Sequence, residues 1–137
     1  MSVGELTHDM RLYKGEWVFY TYYKGNKIGY CDVIPHTSDS AKKYFNLGKG
    51  SFIDTSLLVH DKLIEISLIK IDKAARKKGV GSSLLKFVCN HFKKHGYGQA
   101  FLYAHNDTSV KYEQLLFFYR NLGFMQVQET HFMIKNL

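Results

Sequence analysis

The chain has 137 residues, 45% hydrophobic and 15% aromatic, which is enough for one ordinary core and too short for two. No apolar window approaches a membrane span, and Glu5, His8, Asp9 and Arg11 interrupt any signal-like run at the start. The net charge is +7, and Cys31 and Cys89 stand far apart in neither a metal-type nor a redox-type spacing, so a soluble cytoplasmic protein with reduced thiols is expected.

Trp17 to Tyr23 and Lys27 to Ile34 are rich in aromatic and β-branched residues and flank Lys24-Gly25-Asn26, so they read as a β-hairpin. Pro35 to Gly50 is polar and irregular. Within it Ser38 to Leu47 is compatible with a short helix, and the residues do not decide the matter. Phe52 to Val59 and Leu63 to Ile71 are expected as two further strands joined by His60-Asp61-Lys62. From Val80 the spacing turns helical, with Leu84, Leu85, Val88 and Phe92 on one face and Gly96 just past the end. Gln99 to Ala104 reads as a strand. Asp107 to Leu122 reads as a second helix, capped by Asp107 or Thr108 and stopped by Gly123, and Phe124 to Ile134 supplies two more short strands. Pro35 is the only proline, and no low-complexity tract or repeat divides the chain, so one domain over residues 1–137 is expected.

The most informative stretch is Arg76-Lys77-Lys78-Gly79-Val80-Gly81-Ser82, between a strand and a helix. Backbone N–H groups entering a helix have no intrahelical partner, and with the helix dipole they favour an anion. Gly79 and Gly81 admit positive φ and close approach of a ligand, while three cations crowd the same turn. The charge is equally local. Lys70 to His95 holds eight Lys or Arg against one acid, Asp72, and the remaining 11 basic and 11 acidic side chains balance. A localised anion site fits this better than a generally basic protein. Lys86, Lys93 and Lys94 are also explained as the solvated face of a helix.

The strand LIEISLIKI, the turn Arg76-Lys77-Lys78-Gly79-Val80-Gly81, and Phe118-Tyr119 followed by Gly123-Phe124, in that order over Leu63 to Phe124, resemble the GCN5-related N-acetyltransferase (GNAT) superfamily. The resemblance implies an α/β (α+β) fold. It has a mixed, strongly twisted sheet, helices on both faces and a V-shaped splay between two central strands, where acetyl-coenzyme A is held. It also implies that backbone groups from Lys77 through Ser82 bind the pyrophosphate beside Arg76, and that main-chain groups of Ile69 and Ile71 pair with the pantetheine. Asn106 matches, at a longer spacing than usual, an asparagine that bonds the same arm. Little room exists before Trp17 for the family's opening strand and two helices, so the N-terminal helical part is expected to be shortened.

Transfer of an acetyl group from sulfur to nitrogen calls for a base that takes the amine proton and an acid at the departing thiolate. By resemblance Glu65, eleven residues before Arg76, is the base and Tyr119 the acid. A carboxylate among Leu63, Ile64, Ile66, Leu68 and Ile69 is expected to be partly desolvated if it faces the cleft; an outward surface glutamate is the alternative. Tyr119 within Leu115-Leu116-Phe117-Phe118-Tyr119 is otherwise core filling. His91 and His95, four apart, have no apparent third metal ligand, so no metal is expected. Cys89 reads as a structural thiol.

The expected function is acetyl-CoA-dependent N-acetylation of a primary amine by direct attack in a ternary complex. The acceptor is a small molecule or a protein lysine or N-terminus, and the enzyme is a monomer or homodimer. Two alternatives remain open: an inactive binding module of the same fold for nucleic acid or a partner protein, and a related enzyme that modifies nucleic acid.

Overall fold

The computed structural model describes residues 3–46, 55–105 and 111–137. A 3₁₀ turn at Val3–Glu5 enters three antiparallel strands, β1 (Leu6–Tyr13), β2 (Glu16–Tyr23) and β3 (Asn26–His36). Both hairpins close on a Lys-Gly pair with positive φ at each residue: 51° and 81° at Lys14-Gly15, 49° and 80° at Lys24-Gly25. This conformation matches the twist of paired strands. The expected hairpin is therefore present, with β1 added on its outer edge. β1 passes straight into β2, so no helix separates them.

The segment after β3 resolves as a helix, α1 (Ser38–Asn46), which buries Ala41 and Phe45. Thr37 and Ser40 close its first turn reciprocally. The Ser40 N–H donates to Thr37 Oγ1 (3.2 Å) and the Thr37 N–H to Ser40 Oγ (3.1 Å). The strand expected over Phe52 to Val59 is corrected in its described part: Thr55–Leu57 is a 3₁₀ turn, and residues 52–54 lie outside the described residues. Thr55–Leu57 pairs with no strand among the described residues, and composition alone does not make a strand.

The rest of the chain runs β4 (Leu63–Ile71), α2 (Val80–Lys94), β5 (Gln99–Tyr103), α3 (Tyr112–Asn121), β6 (Met125–Gln126) and β7 (Phe132–Asn136). α2 buries the predicted stripe of Leu84, Leu85, Val88 and Phe92, and Gly96 follows it with φ of +86°. α3 begins at Tyr112, later than the expected Asp107. Lys111 before it is extended and offers no side-chain cap, and Asp107 and Thr108 lie outside the described residues. Gly123, at φ +93°, stops α3 as expected.

One seven-stranded sheet results, in the order β1-β2-β3-β4-β5-β7-β6. β4 and β5 are parallel, joined by α2 as the crossover, and the other pairings are antiparallel. α2 and α3 cover one face, where Ile64, Ile66, Leu84, Leu102 and Tyr119 share a core. α1 covers the other, packing Ala41 and Phe45 on Leu63, Phe101 and Phe132. No helix among the described residues is long and apolar enough to cross a membrane.

Candidate active site

β4 and β5 pair only at Leu63↔Gln99, Ile64↔Ala100 and Glu65↔Phe101. Immediately beyond, the register of β4 on β3 steps from Val33↔Ile66 to Asp32↔Leu68, which leaves Ser67 as an extra residue. A bulge bends its strand and increases its twist. β4 therefore stays with β3 and parts from β5, and a cavity of about 710 Å³ opens in the fork. The burial of β4 changes at the same point. Leu63 to Ile66 are buried, whereas Ser67, Leu68 and Lys70 are exposed. Beyond Glu65 no strand among the described residues pairs with β4 on its β5 side, where an extended chain could be added.

The glycine turn forms one end of the cavity. Gly79 holds the N-cap position of α2 at φ +81° with no side-chain cap, so the N–H groups of Val80, Gly81 and Ser82 open toward the fork without helical partners. Lys77 also takes positive φ, +61°, which costs an L side chain roughly 1–2 kcal/mol and turns the backbone into a nest of N–H groups. A Cβ on Gly81 would stand 3.2 Å from Phe118 Cζ, so glycine is what lets α3 close against the turn. Arg76 Nε donates to the Ile71 carbonyl (3.0 Å), tying the turn back to the end of β4.

Of the residues predicted to hold a coenzyme, Ile69, Ile71, Arg76, Lys77, Gly79, Val80, Gly81 and Ser82 line this one cavity. Lys78 is exposed beside it and does not line it, and Asn106 lies outside the described residues. Tyr119, from α3, lines the same cavity while only 6% exposed, packed against Phe118 and Phe124. Burial, with the Cys31 thiol nearby, pushes its phenol well above the ordinary value of 10.0. Its carbonyl accepts the N–H groups of Leu122 and Phe124 (3.0 and 3.1 Å), so the chain reversal through Gly123 also fixes the tyrosine.

Glu65 is neither an exposed surface glutamate nor a wall of the cavity. It is 7% exposed, on the last β4 position still paired with β5, and its side chain lies on the α1 face of the sheet. Oε1 is 2.8 Å from His36 Nε2, and the Tyr44 hydroxyl donates to the same carboxylate. Burial and the adjacent Glu65 charge push the Tyr44 phenol up to about 12. His36 and Tyr44 were invisible to sequence reasoning, because β3–β4 register and the seating of α1, not spacing along the chain, bring them to Glu65.

The family model for an acetyltransferase (GNAT) domain matches residues 14–126. Solved structures share the architecture. A GNAT family acetyltransferase from Elizabethkingia anophelis with acetyl-CoA bound superposes with a TM-score of 0.65 and 13% identity, over 97% of this chain and 99% of that one. AtaT complexed with acetyl-methionyl-tRNAfMet gives 0.63 and 12%, over 96% and 94%. A KacTA–DNA complex gives 0.62 and 15%, over 96% and 92%. At these identities the likeness is one of fold. No curated protein sequence matches the chain.

Proposed function

We propose that this chain, which belongs to the GNAT acetyltransferase family, transfers an acetyl group from acetyl-coenzyme A to a primary amine by direct attack in a ternary complex. The observation that carries the reading is the fork itself: one cavity joins the N–H-rich turn at its cationic end to a buried tyrosine at the other. The coenzyme's chemistry fits these walls. Its pyrophosphate suits the N–H groups of Lys77 through Ser82 beside Arg76, and its pantetheine, an extended amide chain, suits the unpaired edge at Ile69 and Ile71. When bound, the coenzyme supplies an acetyl group activated as a thioester.

The protein's residues do the rest. Phe118 and Leu115 give the fork an apolar wall, which disfavours water beside a bound thioester. Tyr119, kept protonated by burial, presents its hydroxyl from the α3 face to the departing sulfur. We assign the amine proton to Glu65, whose carboxylate lies on the α1 face and lines no part of the cavity, so the acceptor has to approach from that face. Acid and base on opposite faces let the amine enter from one side as sulfur leaves on the other.

Calorimetric titration with acetyl-CoA tests the cofactor. Micromolar binding is expected, about 8 kcal/mol, and it is lost in Gly81→Trp, whose indole would occupy the contact with Phe118. An unchanged circular dichroism spectrum must accompany the loss. Wild-type protein that does not bind acetyl-CoA removes the reading.

A second reading concerns the acceptor. Beyond the cavity, exposed Lys86, Lys93 and Lys94 continue the cationic surface along α2, and relatives of the same fold are seen with acetyl-methionyl-tRNA and with DNA. An amine carried on nucleic acid is favoured by that surface, and salt-sensitive gel-shift of tRNA by the wild type, weakened in a triple Lys→Gln variant at these positions, is its test.

A further inference from the structure

Among the described residues β1 ends the sheet with no strand on its outer side. The opposite end is β6, two residues long, whereas β1 runs eight residues in unbroken register on β2. Proteins usually blunt such an edge with a proline, a lysine, a bulge or a covering segment. β1 has no proline, lysine or bulge. From Asp9 onward every residue of it is exposed, with Met10 at 37%, Leu12 at 59% and Tyr13 at 65%.

The hairpin decides which main-chain groups face outward. Its two-residue turn closes on Tyr13↔Glu16, a pair that exchanges both hydrogen bonds, and alternation along the ladder turns Thr7, Asp9, Arg11 and Tyr13 toward β2. Leu6, His8, Met10 and Leu12 then present N–H and C=O to the open side. The Met10 N–H accordingly donates to a side chain, Asp9 Oδ1 (2.8 Å). Side chains alternate too. Met10 and Leu12 stand opposite Phe19 and Trp17 on the α2 face, and Asp9 and Arg11 stand on the other.

We propose that two copies of this chain join edge to edge through β1, about a two-fold axis at Met10, into one continuous sheet. Antiparallel pairing sets outward-facing residues opposite one another, which leaves few registers. One of them places Asp9 against the partner's Asp9 and another places Arg11 against the partner's Arg11, like charges in both cases. With Met10 opposite the partner's Met10, Asp9 faces the partner's Arg11 and Arg11 faces the partner's Asp9, on pairs where side chains approach most closely. The same register sets Leu12 beside the partner's His8 and covers both exposed methionines. Within one chain the Arg11–Asp9 contact, 3.8 Å between side chains 71% and 51% exposed, contributes little and gives way at little cost. The two-fold uses up both edges and so closes the assembly. The fork between β4 and β5 lies three strands inward, and both copies keep an open cavity.

Sedimentation velocity from about 1 to about 100 μM tests this on the wild type, Asp9→Lys, Arg11→Glu and an equimolar mixture of the two variants. The wild type is expected to reach twice the mass of one chain. Each variant alone opposes like charges at two places, because the two-fold doubles every change, and its dimer dissociation constant is expected to rise about tenfold. In the mixture every pair across the axis again joins opposite charges, and the wild-type mass is expected to return. A role for Asp9 and Arg11 confined to one chain gives no such rescue. A wild type that stays monomeric, a dimer that neither variant weakens, or weakened variants that mixing does not restore each overturn the proposal. Circular dichroism checks the fold of each variant. Should one fail to fold, main-chain amide exchange in the wild type decides: exchange at His8, Met10 and Leu12 that slows as protein concentration rises is expected, and exchange independent of concentration overturns the proposal. None of these readouts depends on acetyl transfer.

Discussion

At the scale of single residues, burial decides what Tyr119 can do. Its phenol is pushed above 10.0 by desolvation first and the Cys31 thiol second, so it stays protonated through the neutral range. Complete transfer to a thiolate of ordinary basicity, about 8.5, is uphill. In the proposed mechanism the hydroxyl therefore acts mainly by hydrogen-bonding the charge that develops on sulfur. Tyr119→Phe is accordingly expected to lower kcat by about 10²-fold with little change in acetyl-CoA affinity. In the wild type, kcat should show no falling limb from this group between about pH 7 and pH 9. Stopped-assay rates across that range check both statements, and a limb that disappears in Tyr119→Phe would contradict the assignment. The place of Tyr119 on the cavity wall was legible in the sequence because its motif also shapes the chain: its carbonyl anchors the turn through Gly123. Glu65 was legible as a position only. Its imidazole and phenol partners come from β3 and α1, at sequence separations that no local pattern encodes.

At the scale of elements, the cavity depends on α2 staying seated, and β1 contributes to that through one side chain. His8 Nδ1 is 3.0 Å from Thr21 Oγ1 on β2, and its Nε2 is 3.1 Å from Ser83 Oγ in the first turn of α2. The ring also packs on Phe87 at 4.7 Å between centroids. Desolvation lowers the His8 pKa below 6.5, so the folded state prefers the neutral ring and acidification favours the unfolded chain, which takes up the proton more readily. The contribution is complete above pH 6.5 and declines as pH falls through that value; His91, lowered chiefly by burial too, acts in the same sense. The thermal midpoint should thus drop between about pH 7.5 and pH 5.5, and drop less in His8→Gln, as scanning calorimetry at the two pH values would show. An equal drop in the variant would clear His8 of the effect. The element best legible in the sequence was α2, whose periodicity coincides with burial on one face, and β4 was legible from its near-continuous apolar run, buried on both faces over Leu63 to Ile66. Where that coincidence fails, reading failed too: Thr55–Leu57, within a stretch of strand-like composition, is a 3₁₀ turn.

At the scale of the whole molecule, the +7 charge is a statement about one region, since the residues outside Lys70 to His95 are balanced. The fold divides that region's cations into two groups. Lys70, Arg76 and Lys77 line the cavity with exposed Lys73 and Lys78 next to them in the chain, whereas Lys86, Lys93 and Lys94 lie exposed along α2 and line no part of it. Screening separates their roles, because the Debye length shortens from roughly 10 Å at 0.1 M salt to about 3 Å at 1 M. If the first group attracts the coenzyme's phosphates, the Kd for acetyl-CoA should rise several-fold from about 0.05 M to 0.5 M sodium chloride. Lys77→Gln should weaken binding at low salt and flatten that dependence. Lys86→Gln should leave both unmoved, since its charge lies outside the cavity. Titrations of the three proteins at the two salt concentrations decide the matter. Parallel salt dependence in all three would mean that the coenzyme responds to the total charge and not to the turn, and the local concentration of cations would then have to serve the acceptor instead.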